Sequence, residues 1–280
     1  LNVKTETAVV TRGDNSTAAF APGDEVSILS WNVGYAGLGE ESDFFMDGGK
    51  QTRAPSKAIV EKNMDGIVAT VQGMAADFTF LQEIDAGPST HAYGIEEAGR
   101  LRTETQLDSA HALNYKCAFV PYPIPPIGRV NTGLMTLSTA PIASAERIAL
   151  PSPFKWPVSV ANLKRCLMPV YIDLEGTDAQ LVLVNLHLEA YDDGEGKAAQ
   201  TAALTSFLEQ EYAKGNYVIA GGDFNQTFPG GLDKYPIKND DLWTPGMLDD
   251  SMLPDGWHFA YDTSVPTCRL DNQPYDAESE

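Results

Sequence analysis

The sequence is poor in positive charge, in histidine and in cysteine. Nineteen Lys and Arg stand against 39 Asp and Glu, a net charge of −20 over 280 residues. Nucleic-acid binding draws much of its free energy from phosphate neutralisation, so this balance disfavours a general DNA or RNA binder; a local basic patch on an acidic protein is the one route left open. The three cysteines, Cys117, Cys166 and Cys268, lie far apart and form no CxxC pair. They make no disulfide framework and read as buried free thiols, or at most one bridge. No run of eighteen apolar residues occurs, so no segment reads as a membrane span. The first residue is Leu1, not methionine, and the expectation is that a tag, signal peptide or anchor preceded it. Residues 1–22, rich in Thr, Ala and polar side chains, read as a tether or a frayed first strand, and 23–280 as one domain.

What is present is a set of apolar runs. "VSILSW" (26–31), "FTFLQ" (78–82), "KCAFV" (116–120), "GLMTLS" (133–138), "CLMPVYIDL" (166–174), "LVLVNLHL" (181–188) and "YVIAG" (217–221) read as strands, several β-branched and bounded by Gly, Pro or Asp. Three segments read as helices. In "SKAIVEKNMDGIVATVQGMA", Val60, Met64, Ile67, Val68 and Val71 fall on one stripe behind a capping Ser56. "GKAAQTAALTSFLEQEYAKG" places Leu204, Phe207, Leu208 and Tyr212 likewise, with Gly215 suited to its end. "IEEAGRLRTETQLDSAHAL" is the third. Strands outnumber helices and some follow one another directly, which favours an α+β fold with two packed sheets. Residues 36–55 and 121–131 read as long loops, the second, "PYPIPPIGRVN", stiffened by four prolines.

Four apolar strands end in polar residues: "ILSWN" in Asn32, "FLQE" in Glu83, "LVNLH" in His187 and "VIAGGDFN" in Asp223 and Asn225. A rigid strand aims such a side chain while the following loop leaves it open to a ligand. Asp223 and Asn225, two apart, can share a face with Phe224 turned to the core, and the paired glycines allow a close backbone approach. Each residue alone has an ordinary structural reading: turn, cap, solvated acid, core histidine. The joint pattern is what points to a site.

In the order WN, QE, NLH, GDFN, the chain from about Val26 onward resembles the endonuclease/exonuclease/phosphatase superfamily, which includes DNase I-like nucleases, neutral sphingomyelinases and inositol polyphosphate phosphatases. The resemblance implies a DNase I-like four-layer α/β/β/α sandwich and Mg²⁺-dependent phosphoester cleavage by in-line attack of water, with Mn²⁺ or Ca²⁺ as alternative ions. It implies Glu83 as principal metal ligand with Asn32 beside it, Asp223 as the base orienting water, Asn225 holding a phosphate oxygen or Asp223 itself, and His187 on the phosphate or leaving oxygen. Arg165 is a candidate phosphate clamp, a solvated surface arginine being the other reading; Asn131 and Tyr122 are candidate rim residues. The likeness is greatest to bacterial members anchored outside the cell, which implies an extracellular or surface-anchored setting. The superfamily's late Ser-Asp-His motif is absent. That implies missing last strands and impaired turnover. The expected substrate is a small phosphoester or a phospholipid head group acted on by a monomer. A nuclease and a non-catalytic surface binding protein are the alternatives.

Overall fold

Strand alternation and helix period sort the buried apolar side chains into three core clusters, in a computed structural model that describes residues 5–152, 163–190, 195–237, 244–269 and 271–277. Two strand–helix–strand units carry the architecture. β3 (Ile28–Asn32), α1 (Lys57–Met74) and β4 (Phe78–Asp85) form one, and β9 (Gln180–His187), α3 (Glu195–Ala213) and β10 (Tyr217–Asp223) the other. In each, the strands pair in parallel, as a helical crossover requires.

Antiparallel strands extend both units into five-stranded sheets. β2 (Val9–Thr11), β5 (Asp108–Val120) and β6 (Gly128–Ser138) complete the first, in the order β2-β5-β6-β4-β3. β1 (Glu6–Thr7), β7 (Ile142–Ala149) and β8 (Cys166–Asp173) complete the second, in the order β1-β7-β8-β9-β10. Phe78, Phe80, Leu134, Met168, Val170 and Leu183 fill the space between the sheets. Val60, Met64, Ile67, Val68 and Val71 of α1 cover Leu81, Met135 and Leu137. Leu204, Phe207 and Leu208 of α3 cover Val182, Val184 and Leu186. This is the α/β/β/α sandwich, each such side chain adding roughly 1.5–3 kcal/mol on full burial.

The α1 stripe is buried as its period requires, and Ser56 Oγ accepts the Ile59 N–H at 3.3 Å. Elsewhere the structure differs from the sequence reading. The third helix is shorter: α2 covers Glu97–Thr105, and residues 108–120 belong to β5. Ala110 and Ala112 there bury at period two, between the sheets. Tyr212 does not join the α3 stripe; it is exposed, edge-on to Trp257. The segment read as a tether or a frayed strand contributes strands, Glu6 pairing with Arg147 and Val9 with His111, and Phe20 is buried. β7 escapes the apolar scan because Arg147 is one of its core residues: its Nε and Nη2 donate to the carbonyls of Leu113 and Lys164 at 2.7 Å each. All three cysteines are free, and only Cys166 is fully buried.

The layering puts β3 at the edge of one sheet and β10 at the edge of the other, against each other. Among the described residues no strand lies outboard of either. The parallel pairs β3–β4 and β9–β10 therefore end together, and all four polar strand termini meet there.

Candidate active site

Gly-Gly-Asp-Phe-Asn is a backbone device. Gly222 has φ +142°, and a Cβ on it would stand 2.1 Å from the Leu186 carbonyl oxygen, so only glycine fits between β9 and β10. The parallel register sets Asp223 opposite His187. Phe224 then turns into the layer under α3 and packs edge-on to Phe228 and Phe259. Asn225 takes the left-handed conformation, φ +50°, which asparagine tolerates better than most residues. Its N–H donates to Asp223 Oδ1 at 2.9 Å and its Nδ2 to the Leu188 carbonyl at 2.8 Å. The Asn225 backbone thus holds the Asp223 carboxylate, while its side chain is turned to Leu188.

Glu83 is aimed by an irregularity of a different kind. The β4–β6 register shifts between Gln82 and Ile84, and Glu83 at the bulge has φ +53°. Gln82 points between the sheets and donates to Asn185 Oδ1 at 2.8 Å, while Asn185 Nδ2 donates to the Met135 carbonyl at 2.9 Å. That buried cross-sheet bridge holds β4 just ahead of the bulge. A glutamate forced to positive φ stores strain, and such strain collects at functional sites.

Asn32 ties the two sheets together. Its Nδ2 donates to Glu83 Oε1 at 3.0 Å and to Asp223 Oδ2 at 2.9 Å. Its Oδ1 accepts the Gly34 N–H at 3.0 Å, which sets the amide orientation. The expectation that Asn32 lies beside Glu83 holds. Its nitrogen faces the two carboxylates and its oxygen faces the Gly34 N–H. Asn32 acts as a clamp that brings two acids from different sheets onto one donor.

The electrostatics follow from burial. Burial pushes the Glu83 carboxyl up to about 7, against the Asn32 hydrogen bond and with the help of Asp223. Burial likewise lowers His187 to about 3, Arg165 adding to the effect, so the imidazole is neutral near pH 7. His187 Nε2 lies 3.5 Å from Asp223 Oδ2 and 3.9 Å from Glu83 Oε1. Burial opposes ionisation of Asp223, yet its carboxyl lies below the usual range because His187, Asn32 and the Asn225 N–H outweigh that cost. With His187 neutral near pH 7, the two hydrogen bonds and the Arg165 charge sustain the Asp223 carboxylate there. The site thus holds two acids of divergent character, one held as the anion and one resisting ionisation.

Arg165 is not a solvated surface arginine. It is 6% exposed, its Nε lies 3.8 Å from Glu189 Oε2, and its Nη1 has no hydrogen-bond partner among the described residues. A buried guanidinium with open donors, close enough to depress His187, suits an anion. Asn131 is bonded through its backbone to Ala86 and Ser89, and its side chain lies over Gly87. Tyr122 is not brought into the site: it is 74% exposed at the far turn of the β5–β6 hairpin, which outruns β4.

The sequence reading missed a buried group behind Glu83. Glu97 Oε2 accepts the Asp85 N–H at 2.9 Å, Asp85 Oδ2 lies 2.8 Å from His91 Nε2, and the His91 ring lies 4.7 Å from that of Tyr35. Burial and Asp85 raise the Glu97 carboxyl well above its ordinary value. The only sequence signal was a second acid two positions after Glu83.

The donor set suits a hard divalent cation. Two carboxylates share one donor, and Glu83 is disfavoured as an anion by burial and by Asp223; a cation would relieve both effects. Among the described residues no group of three or more His, Cys, Asp or Glu forms a closed metal cage. Mg²⁺ needs none, since it keeps several waters and takes one or two protein carboxylates.

The sequence model of the "Endonuclease/Exonuclease/phosphatase family" matches residues 29–273. No curated protein matches the sequence. Among solved structures, the chain is similar to TDP2 from Caenorhabditis elegans at TM-score 0.48 and 18% identity, over 84% of this chain and 52% of that one. It is similar to an endonuclease/exonuclease/phosphatase from Beutenbergia cavernae at TM-score 0.49 and 20% identity, over 72% and 48%. It is also similar to the human Nocturnin catalytic domain at TM-score 0.48 and 15% identity, over 79% and 68%. The chain spans about half the length of the C. elegans structure.

Proposed function

Because the chain belongs to the endonuclease/exonuclease/phosphatase family, we propose that it is a phosphoester hydrolase that uses a divalent metal, with Mg²⁺ the natural choice. The three activities in the family's name all cleave phosphoester bonds. The observation that carries the reading is the single Asn32 nitrogen bonded to Glu83 from one sheet and Asp223 from the other. This convergence ties the two sheets together and supports a site in which both acids serve one phosphorus centre.

Glu83 would hold the metal, with Asp223 and water close by. When bound, the ion supplies charge for the oxygens of the phosphoryl group. Asp223, oriented by Asn32 and by the Asn225 N–H, accepts a proton from the attacking water. Neutral His187 donates a hydrogen bond to a phosphoryl or leaving oxygen, and Arg165 directs its open donors at the same group. The acidic balance favours a small phosphoester or a phospholipid head group over nucleic acid. The test is hydrolysis of bis(4-nitrophenyl) phosphate with Mg²⁺ by the wild type, Glu83→Gln and Asp223→Asn. We expect each substitution to lower the rate at least ~100-fold. Rates unaffected by either change, or by EDTA, would instead support a non-catalytic binding protein.

A further inference from the structure

Chemistry and surface diverge at the β5–β6 hairpin. The last β4–β6 pair is Asp85 with Thr132, and β6 continues to Gly128 with β5 alone. At roughly 3.3 Å per residue, the hairpin therefore stands more than ~10 Å beyond the end of β4, the end that carries Glu83. Its tip is apolar and open: Ile124 is 91% exposed, Tyr122 74% and Phe119 59%. These are costly side chains to leave in water, and they are clustered on one projection.

Charge says what covers them. Acids are abundant in this chain, yet none occurs between Asp108 and Glu146, its longest stretch without one. The tip is instead flanked by exposed Lys116 on β5 and Arg129 on β6. Apolar and aromatic side chains at a tip, a prolyl-stiffened turn, long cations behind it and no acid form the pattern that suits a lipid–water interface. There the rings sit at head-group level and the cations snorkel to phosphates. A protein partner of an acidic chain does not require the acid-free stretch to coincide with the apolar tip.

We propose that the tip of the β5–β6 hairpin, Phe119 to Ile124, is a docking element that inserts into a phospholipid bilayer surface and holds the Glu83 end of the sandwich against it. Docking stands independently of catalysis; that the phosphoester cleaved is lipid-borne rests on the hydrolase reading above.

The whole chain is sedimented with vesicles of phosphatidylcholine containing a minor fraction of phosphatidylserine. We expect binding that drops at least tenfold for Tyr122→Ser/Ile124→Ser, while Glu83→Gln binds like the wild type. Circular dichroism establishes that the double variant is folded. In a second measurement, Ile124→Trp shows a blue-shifted fluorescence increase on adding vesicles and none on adding soluble head groups. No vesicle binding, or equal binding by the double variant, overturns the proposal, as does an Ile124→Trp signal that responds only to protein. Vesicle binding with no turnover on any phosphoester leaves docking standing and removes the hydrolase reading instead.

Discussion

At the residue scale the site is governed by how two carboxyls differ. Glu83 is buried and raised to about 7 from an ordinary 4.5, so the unfolded chain releases this proton at lower pH than the native protein does. Its contribution to stability is present below about 4.5 and is lost as pH rises to about 7. At ~1.4 kcal/mol per pKa unit, the loss is on the order of 3 kcal/mol without metal. His187 works the other way: lowered to about 3 from 6.5, it contributes fully above 6.5 and less as pH falls toward 3. Urea unfolding of metal-free protein at pH 5 and pH 8 separates them. Glu83→Gln should gain stability relative to wild type at pH 8 and little at pH 5; an equal difference at both values would contradict the assignment. Because a cation competes with the Glu83 proton, Mg²⁺ should also bind more tightly at pH 8 than at pH 6, as measured by calorimetry.

Among the elements, β9 and β10 set Asp223 opposite His187, and Gly222 permits that register. Gly222→Ala forces a Cβ to 2.1 Å from the Leu186 oxygen at φ +142°, and we expect a loss of more than ~2 kcal/mol in urea unfolding, with activity lost in step. A variant as stable as wild type would show that the strands can part without cost. The strand ends were legible in sequence because apolar runs meet polar side chains at Asn32, Glu83, His187 and Asp223, and helix α1 was legible because its five core residues keep one period. Other features left no local mark. The Glu83 bulge comes from a register shift against β6, Asn32 faces with its nitrogen because Gly34 holds its oxygen, and Arg147 is buried only because carbonyls from two other segments receive it. The exposure of Tyr122 left no mark for a related reason: a loop's residues do not reveal which way its hairpin projects.

Across the whole molecule, the net charge of −20 sets how anions approach. Long-range repulsion should slow the encounter with an anionic phosphodiester, and salt should screen that repulsion. The kcat/KM for such a substrate is therefore expected to rise between low and moderate ionic strength. A duplex nuclease held by phosphate contacts would show the opposite slope, because salt weakens counterion-driven binding; a falling rate would favour the nuclease reading. The two sheets contribute one acid each to the site, and the Gln82–Asn185 bridge between them is part of how those acids keep their separation.

The account is tested most directly by locating the metal. In a crystal grown with Mn²⁺ and inorganic phosphate, the anomalous signal should lie ~2.0–2.2 Å from a Glu83 carboxylate oxygen, with the phosphate between it, Asp223, His187 and Arg165. A manganese ion bound elsewhere, with Glu83 and Asp223 still sharing only the Asn32 nitrogen, would contradict it.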